Sequence, residues 1–268
     1  MARINLATSD NTIAVIISTY NSPDYLRRVL EGYRTQTRYP DELIVADDGS
    51  TDETARVVRE FSASAPFKVQ HVWHEDTGFR LAEIRNKAIA ASTADYIVFS
   101  DGDCIPHPCF IEDHGRAIRS GCFVTGKRML LRKNLSRDFV WSGIADSIKS
   151  CLQRELTGGH HLIRLPWLIR GKKGFKGLRG CNIAVFRADL LEVNGFNEQI
   201  VGWGREDSEL VVRLLALGRK RLELPFSAMV FHLWHPENSR GSLADNDRLL
   251  ESVVSSGISR CEYGILKP

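Results

Sequence analysis

The stretch Tyr96–Pro108, YIVFSDGDCIPHP, is an apolar run that ends at two aspartates one residue apart. Asp101 and Asp103, with only Gly102 between them, can turn their carboxylates toward one point from a loop. Hard divalent cations such as Mg2+ or Mn2+ take oxygen ligands of this kind, commonly one or two protein carboxylates plus substrate phosphates. The plainer alternative is a turn, since Asp and Gly also end strands through bonds to the backbone. A second acidic cluster, Asp47-Asp48-Gly49-Ser50, follows another apolar run. Asp48 can accept hydrogen bonds from a nucleobase N–H or a ribose hydroxyl. Gly49 also suits a turn, and Ser50 or Thr51 a helix cap. Thr19-Tyr20-Asn21 offers an aromatic face and polar groups to a base, or simply another strand-to-helix turn.

A third cluster reads GWGREDSE, from Gly202 to Glu209. Acids in the first turn of a helix are favoured by its dipole. Glu206, Asp207 and Glu209 beside Gly202-Trp203-Gly204 exceed what capping requires. A carboxylate near apolar Trp203, with a second acid adjacent, can have a raised pKa suited to a general base. The fourth cluster, Phe231–Pro236, carries His232 and His235. Either histidine can complete a metal site, and either can be a structural or surface residue.

These groups need a scaffold. Ile13–Ser18 is a short β-branched run, and 22–37 has apolar residues at helical spacing behind Ser22 and Pro23, an N-cap and first-turn pair. Strand-like pieces at 43–46, 69–73 and 96–100 alternate with helix-like pieces at 51–61 and 81–91. The alternation predicts an α/β fold with a mainly parallel central sheet flanked by helices. Such sheets hold ligands at the carboxyl ends of their strands, where both aspartate clusters fall. The middle, 135–176, has a weaker pattern, with a helix expected over 144–156. A strand is expected at 181–186, helices at 188–193 and 209–217, and a last strand at 229–233. Past Pro236 the polar composition predicts a mobile tail or lid.

Composition bounds the function. The 268 residues suit one large domain or two small ones, and 43% hydrophobic with 26% charged residues is ordinary for a globular chain. A net charge of +3 does not by itself imply nucleic acid. Six scattered cysteines without a C-x-x-C pair read as reduced thiols of a cytosolic protein. No signal peptide is read at the N-terminus, and no apolar run approaches the roughly 20 residues needed to span a bilayer. The expected location is the cytoplasm, either free or peripheral at the inner face of the cytoplasmic membrane.

The four clusters in this order resemble family 2 glycosyltransferases of the GT-A fold. AVIISTYNSPDYLRRVLEGYRTQTRYPDELIVADDGSTDET is similar to the nucleotide-binding opening of that family. NKAIAASTADYIVFSDGDCIPHP is similar to the segment ending in its Asp-x-Asp motif. GWGREDSEL resembles the Trp-Gly-x-Glu-Asp motif of bacterial chondroitin-polymerase-like and β-1,4-galactosyltransferase-like domains. The likeness runs from Ile13 to Pro236, with 127–175 unmatched. It implies a GT-A domain over 1–240, with a nucleotide-binding half at 1–125 and an acceptor-binding half at 126–240, followed by a tail at 241–268.

Carried onto this chain, the resemblance implies nucleotide contacts from Thr19, Tyr20, Asn21, Asp48, Arg85, Asp101 and Gly102. Asp101 and Asp103 would hold Mn2+ or Mg2+ with His232 or His235. Asp207 would be the base, and Glu206, with Trp203 and Gly204, would bind the acceptor. The reaction implied is inverting transfer from a nucleotide sugar, with a UDP-hexose the leading donor, to a glycan or glycolipid hydroxyl in bacterial lipopolysaccharide or capsule. A sugar-nucleotide pyrophosphorylase would want a Gly-rich basic loop where this chain has TYNSPD. A non-catalytic carbohydrate- or lipid-binding protein would be expected to have a damaged metal or base motif. Residues 156–188 hold seven Lys/Arg and no Asp/Glu. They read either as a solvated loop or as a surface for anionic lipid or a phosphorylated glycan. With the basic residues confined to one segment, nucleic acid is not an expected partner.

Overall fold

The strand Ile13–Thr19 (β1) is buried along its whole length, so its sequence is continuously apolar rather than alternating. In a computed structural model, which describes residues 11–237 and 239–268, β1 lies inside an eight-stranded sheet. The signal-peptide reading rests on the first residues, and 1–10 lie outside the described part. The chain continues through α1 (Pro23–Arg34), β2 (Glu42–Asp47), α2 (Asp52–Ser62), β3 (Lys68–Trp73), α3 (Leu81–Ala91) and β4 (Tyr96–Asp101). β1 pairs in parallel with β2 and β4, and β2 in parallel with β3. Side chains along β1 divide between two cores. Ile13, Val15 and Ile17 pack with α1 and α2, while Ala14 and Ile16 pack with α3. Each fully buried Ile or Val contributes about 1.5–3 kcal/mol relative to exposure.

The second half is mixed. It contains β5 (Cys104–Pro106), α4 (Phe110–Ala117), β6 (Cys122–Thr125), β7 (Arg128–Leu131), α5 (Lys133–Asp138), α6 (Ile144–Leu152), β8 (Leu156–Thr157) and β9 (Arg170–Gly171). There follow β10 (Ile183–Phe186), α7 (Arg187–Glu192), α8 (Glu206–Ala216), β11 (Lys220–Glu223), β12 (Val230–His232) and α9 (Leu243–Ser256). The large sheet has the order β3-β2-β1-β4-β10-β6-β11-β9, and a small one the order β5-β12-β7-β8. β10 runs antiparallel to β4 and β6, so parallel pairing predominates only in the first half. The helix expected over 144–156 stops at Leu152, and Cys181 and Asn182 form a 3-10 turn ahead of β10. No helix among the described residues is long and apolar enough to cross a membrane. The six cysteines are free thiols.

The stretch expected as a mobile tail or lid instead contains α9, packed on α8. Its buried face is Asn246, Leu250 and Val253, at intervals of four and three. With a polar residue in that stripe and only two apolar ones, the segment reads as solvated although it packs.

Candidate active site

The carboxyl ends of β1, β2 and β4 stand side by side, with Ser18 opposite Asp101 and Thr19 opposite Asp47. The Gly102 N–H donates to the Ser18 carbonyl at 2.7 Å. A Cβ there would stand 3.0 Å from Thr19 Oγ1 and 3.1 Å from the Ser18 carbonyl, so the turn between the aspartates needs glycine for this close approach. Arg85, on α3 and only 1% exposed, anchors the first aspartate. Its Nη2 donates to Asp101 Oδ1 at 2.9 Å and its Nε to Ser18 Oγ at 2.9 Å. Its Nη1 lies 3.5 Å from Glu206 Oε1 and has no hydrogen-bond partner among the described residues. Burial raises Asp101, against the opposing charge of Arg85.

Both histidines reach Asp103. His235 Nε2 lies 3.1 Å and His232 Nε2 3.7 Å from Asp103 Oδ2, and Cys104 Sγ donates to Oδ1 at 3.2 Å. Burial alone would raise Asp103, but the hydrogen bond with His235 and the charges of both histidines hold it low. His232 sits on β12 in register with Cys104 of β5, so the sheet fixes it beside the Asp-x-Asp turn. Its imidazole, Asp103 and Cys104 offer ligand atoms within 4.8 Å of one another. Carboxylate oxygens with an imidazole form a donor set that fits Mn2+, and the carboxylates alone also suit Mg2+.

Glu206 and Asp207 open α8, next to Arg205 in the left-handed region at φ 81°. Gly180 backs both acids: a Cβ there would stand 3.5 Å from Asp207 Cβ and 3.7 Å from Glu206 Oε1. Burial, then the adjacent Asp207, push Glu206 up to about 7, with Arg85 opposing. The third acid is elsewhere: Glu209 is fully buried against Arg213 at 2.7 Å and braces α8. The Gly202–Gly204 loop is held from α9, where Asn246 Nδ2 donates to the Val201 and Gly204 carbonyls at 3.0 Å each. Trp203 remains 39% exposed, with the Arg240 guanidinium 5.5 Å from its ring centre.

The residues expected at the nucleoside gather at the ends of β1 and β2, where the Asp48 N–H donates to the Thr19 carbonyl at 3.0 Å. Asp48 is buried, its Oδ1 bonded to His74 Nε2 at 2.7 Å and its Oδ2 accepting the Arg80 N–H at 2.9 Å. One lone pair remains on each oxygen for a ligand. Asn21, at φ 43°, ties the β1 turn to the β2 turn. Its N–H donates to Ser50 Oγ at 2.8 Å, and its Oδ1 accepts from the Thr51 N–H at 3.0 Å. Tyr20 is exposed and its hydroxyl donates to Asp76 at 2.8 Å. The Thr19 hydroxyl is buried without a partner among the described residues.

Sequence reasoning missed His74, Asp76 and Arg80, which lie past β3 and come near only through the β2–β3 pairing. It also missed Arg128 on β7, a half-buried arginine whose buried Nε is unpartnered among the described residues. The charge of Arg128 acts on Asp101, His232 and His235 together. Nothing in GKRMLL marks it, because its neighbours in space come from other strands.

Comparisons with known proteins bear on the family and the fold. The family model described as glycosyl transferase family 2 matches residues 14–155. A second, described as the N-terminal domain of galactosyltransferase, matches 168–235. Validoxylamine A glucosyltransferase of Streptomyces hygroscopicus subsp. limoneus is 28% identical over 95% of this chain and 56% of its own length. Chondroitin synthase of Escherichia coli is 27% identical over 77% of this chain and 32% of its own. The chain thus spans about half or less of these curated relatives. Among solved structures, S. aureus TarS 1-349 in complex with UDP has a TM-score of 0.61 at 18% identity, covering 90% of this chain and 64% of that one. Mannosyltransferase PcManGT from Pyrobaculum calidifontis, in complex with GDP-Man and Mn2+, has a TM-score of 0.59 at 19% identity, covering 91% and 62%. These likenesses give the GT-A fold, and with a family model matching more than half its length the chain belongs to glycosyl transferase family 2.

Proposed function

We propose that this protein is an inverting, metal-dependent glycosyltransferase that moves a hexose from a UDP-sugar to a hydroxyl of a glycan or glycolipid, in bacterial lipopolysaccharide or capsule synthesis. The observation that carries the reading is Arg85, which bonds the Asp101 carboxylate and lies 3.5 Å from Glu206 Oε1, so the metal-side aspartate and the acid pair of α8 share one cation. Relatives named as a glucosyltransferase and a chondroitin synthase support sugar transfer, and fold neighbours holding UDP or GDP-Man with Mn2+ support the donor and metal class.

In this reading 1–125 forms the nucleotide half, with Thr19, Tyr20, Asn21 and Asp48 at the nucleoside. The half that follows, with α9 bracing it, binds the acceptor through Trp203, Gly204 and Glu206. Asp101, Asp103 and His232 would hold Mn2+ or Mg2+, and that ion would supply charge neutralisation at the diphosphate. His235 would keep Asp103 ionised. Arg85 and Arg128, fixed cations with free N–H groups, stabilise charge on the departing nucleoside diphosphate. Asp207 takes the proton from the acceptor hydroxyl. The acceptor oxygen bonds to the anomeric carbon as the bond to the diphosphate oxygen breaks, inverting that carbon. Holding both substrates in line converts an encounter between two molecules into one step within a complex.

One observation favours a second assignment of the base. Glu206, pushed up to about 7, is better matched than an ordinary carboxylate to accept a proton near neutrality. Asp207→Asn and Glu206→Gln separate the two, because only the true base gives a variant that binds both substrates and does not turn over. The reading as a whole is tested by calorimetric UDP binding with and without Mn2+, beside GDP and dTDP, on the wild type and Asp103→Ala. Metal-dependent UDP binding that disappears in the variant is expected. Absence of binding to any nucleoside diphosphate sinks it.

A further inference from the structure

Helix α6 is turned the wrong way round for a helix that serves only the core. Its protein-facing positions are Ser147, which is buried, and the half-buried Ser150 and Cys151. Its outward row is Ile144, Ile148 and Leu152, at intervals of four, exposed by 53%, 48% and 80%. Ordinary surface helices put the apolar stripe inward and the small polar residues outward. Scattered exposed apolar side chains need no explanation, but a row on one helix face does. Val140, just ahead of the helix, is also exposed. The 3-10 turn Gly159–Leu162 packs against α6, and the next residue, Ile163, is again exposed. Trp167 follows on the same segment and is 69% exposed.

α6 itself is balanced, with Asp146 and Lys149 both exposed, and Arg154 is followed by Glu155. The segment that leaves the 3-10 turn is one-sided: 156–188 hold seven Lys/Arg and no Asp/Glu, with Arg170, Lys173, Lys176 and Arg179 exposed. An outward apolar row followed by an exposed cationic segment suits the plane of an anionic membrane interface. The preceding helix, α5, touches the histidine segment. Trp234, next to His235, has its N–H bonded to Ser136 Oγ on α5, and Lys133 Nζ lies 4.9 Å from its ring centre.

We propose that the face formed by Ile144, Ile148 and Leu152 docks on an anionic lipid bilayer. The apolar row enters the head-group boundary while the cations of the following segment, Arg170, Lys173 and Lys176, meet lipid phosphates. Docking does not depend on the transferase reading. Its consequence does: the face sets the cleft beside the bilayer, where a lipid-linked acceptor would present its hydroxyl.

The test is co-sedimentation of the full chain with vesicles of phosphatidylcholine alone and of phosphatidylcholine mixed with phosphatidylglycerol, with UDP binding measured on every variant. The wild type is expected to pellet with the mixed vesicles and remain in solution with the neutral ones. The double variant Ile148→Glu/Leu152→Glu should lower the bound fraction on the order of tenfold and keep its UDP affinity. Val254→Glu, an exposed site on α9, should bind as wild type. Lys173→Gln/Lys176→Gln leaves the apolar row intact and should weaken binding with a reduced salt dependence, a readout that stands even if the glutamates disturb folding. Equal pelleting with both vesicle types, no pelleting, or undiminished binding by both double variants overturns the proposal. So does a dimer in solution that the glutamate variant splits, since a second copy would then own the face. Loss of UDP binding in the wild type, with lipid binding intact, would count against the transferase reading alone.

Discussion

Arg85 Nη1 stands 3.5 Å from Glu206 Oε1, so the residue that orders the Asp-x-Asp turn also faces the acid pair. Glu206 remains raised, to about 7, even with this cation beside it. The cost of burial and the neighbouring Asp207 outweigh the attraction. An acid whose folded pKa lies above its unfolded one holds more protons in the native state between the two values. Stability therefore falls as pH rises from about 4.5 toward 7. The loss is at most about 3 kcal/mol at the upper end, from the size of the shift. Thermal melts across that window should show the decline in the wild type and a flatter profile in Glu206→Gln. If Glu206 is the base, transfer rate rises through the same pH range, and Glu206→Gln removes that limb.

Arg128 is expected to matter more for ligand than for fold. Its Nε has no partner to lose among the described residues, and its charge acts on Asp101 and on both histidines. Replacing it by Met keeps the apolar stem and removes the cation. UDP affinity should fall by about tenfold, the order of one lost charge-assisted hydrogen bond, while the melting temperature stays level or rises. A large drop in stability with unchanged UDP binding would assign Arg128 to the core instead.

The two histidines can be separated by metal titration. His232 is held by strand register beside Cys104, whereas His235 lies past the end of β12 and bonds through Nδ1 to the Pro236 carbonyl at 2.6 Å. A ligand carried on a strand is the better positioned one. His232→Ala should weaken Mn2+ binding in the presence of UDP by about tenfold or more, and His235→Ala by less. The reverse order would move the ligand to His235. Chelation should abolish the Mn2+-dependent part of UDP binding in the wild type.

How much of this was readable in advance follows from where the information lies. The first half was legible because β1, β2 and β4 are continuous apolar runs, each followed by a turn and an amphipathic helix, and Asp48, Asp101 and Asp103 sit at those ends. The strands of the small sheet have two to four residues, too short to carry a period. Arg128 and His74 become site residues only through pairing between distant strands. The helix α9 was hidden because its packing face carries Asn246 where a hydrophobic residue would have announced it.

That asparagine gives the last prediction. Asn246 Nδ2 satisfies two backbone carbonyls, at Val201 and Gly204, that frame Trp203. The loop is tight on the same side: Gly202 is at φ 72°, and a Cβ there would stand 2.6 Å from Ser242 Oγ. Asn246→Ala leaves both carbonyls without their donor, at a cost of about 1–3 kcal/mol. It also frees the loop that presents Trp203 and leads into Glu206 and Asp207. UDP binding, which in the proposed reading belongs to residues 1–125, should be unchanged. The KM for acceptor should rise and kcat fall, because a loop displaced by even an ångström misaligns the attacking hydroxyl. Gly202→Ala should give the same split by pushing the loop away from α9. A uniform loss of UDP affinity and activity in both variants would show that α9 stabilises the whole fold rather than positioning the acceptor loop.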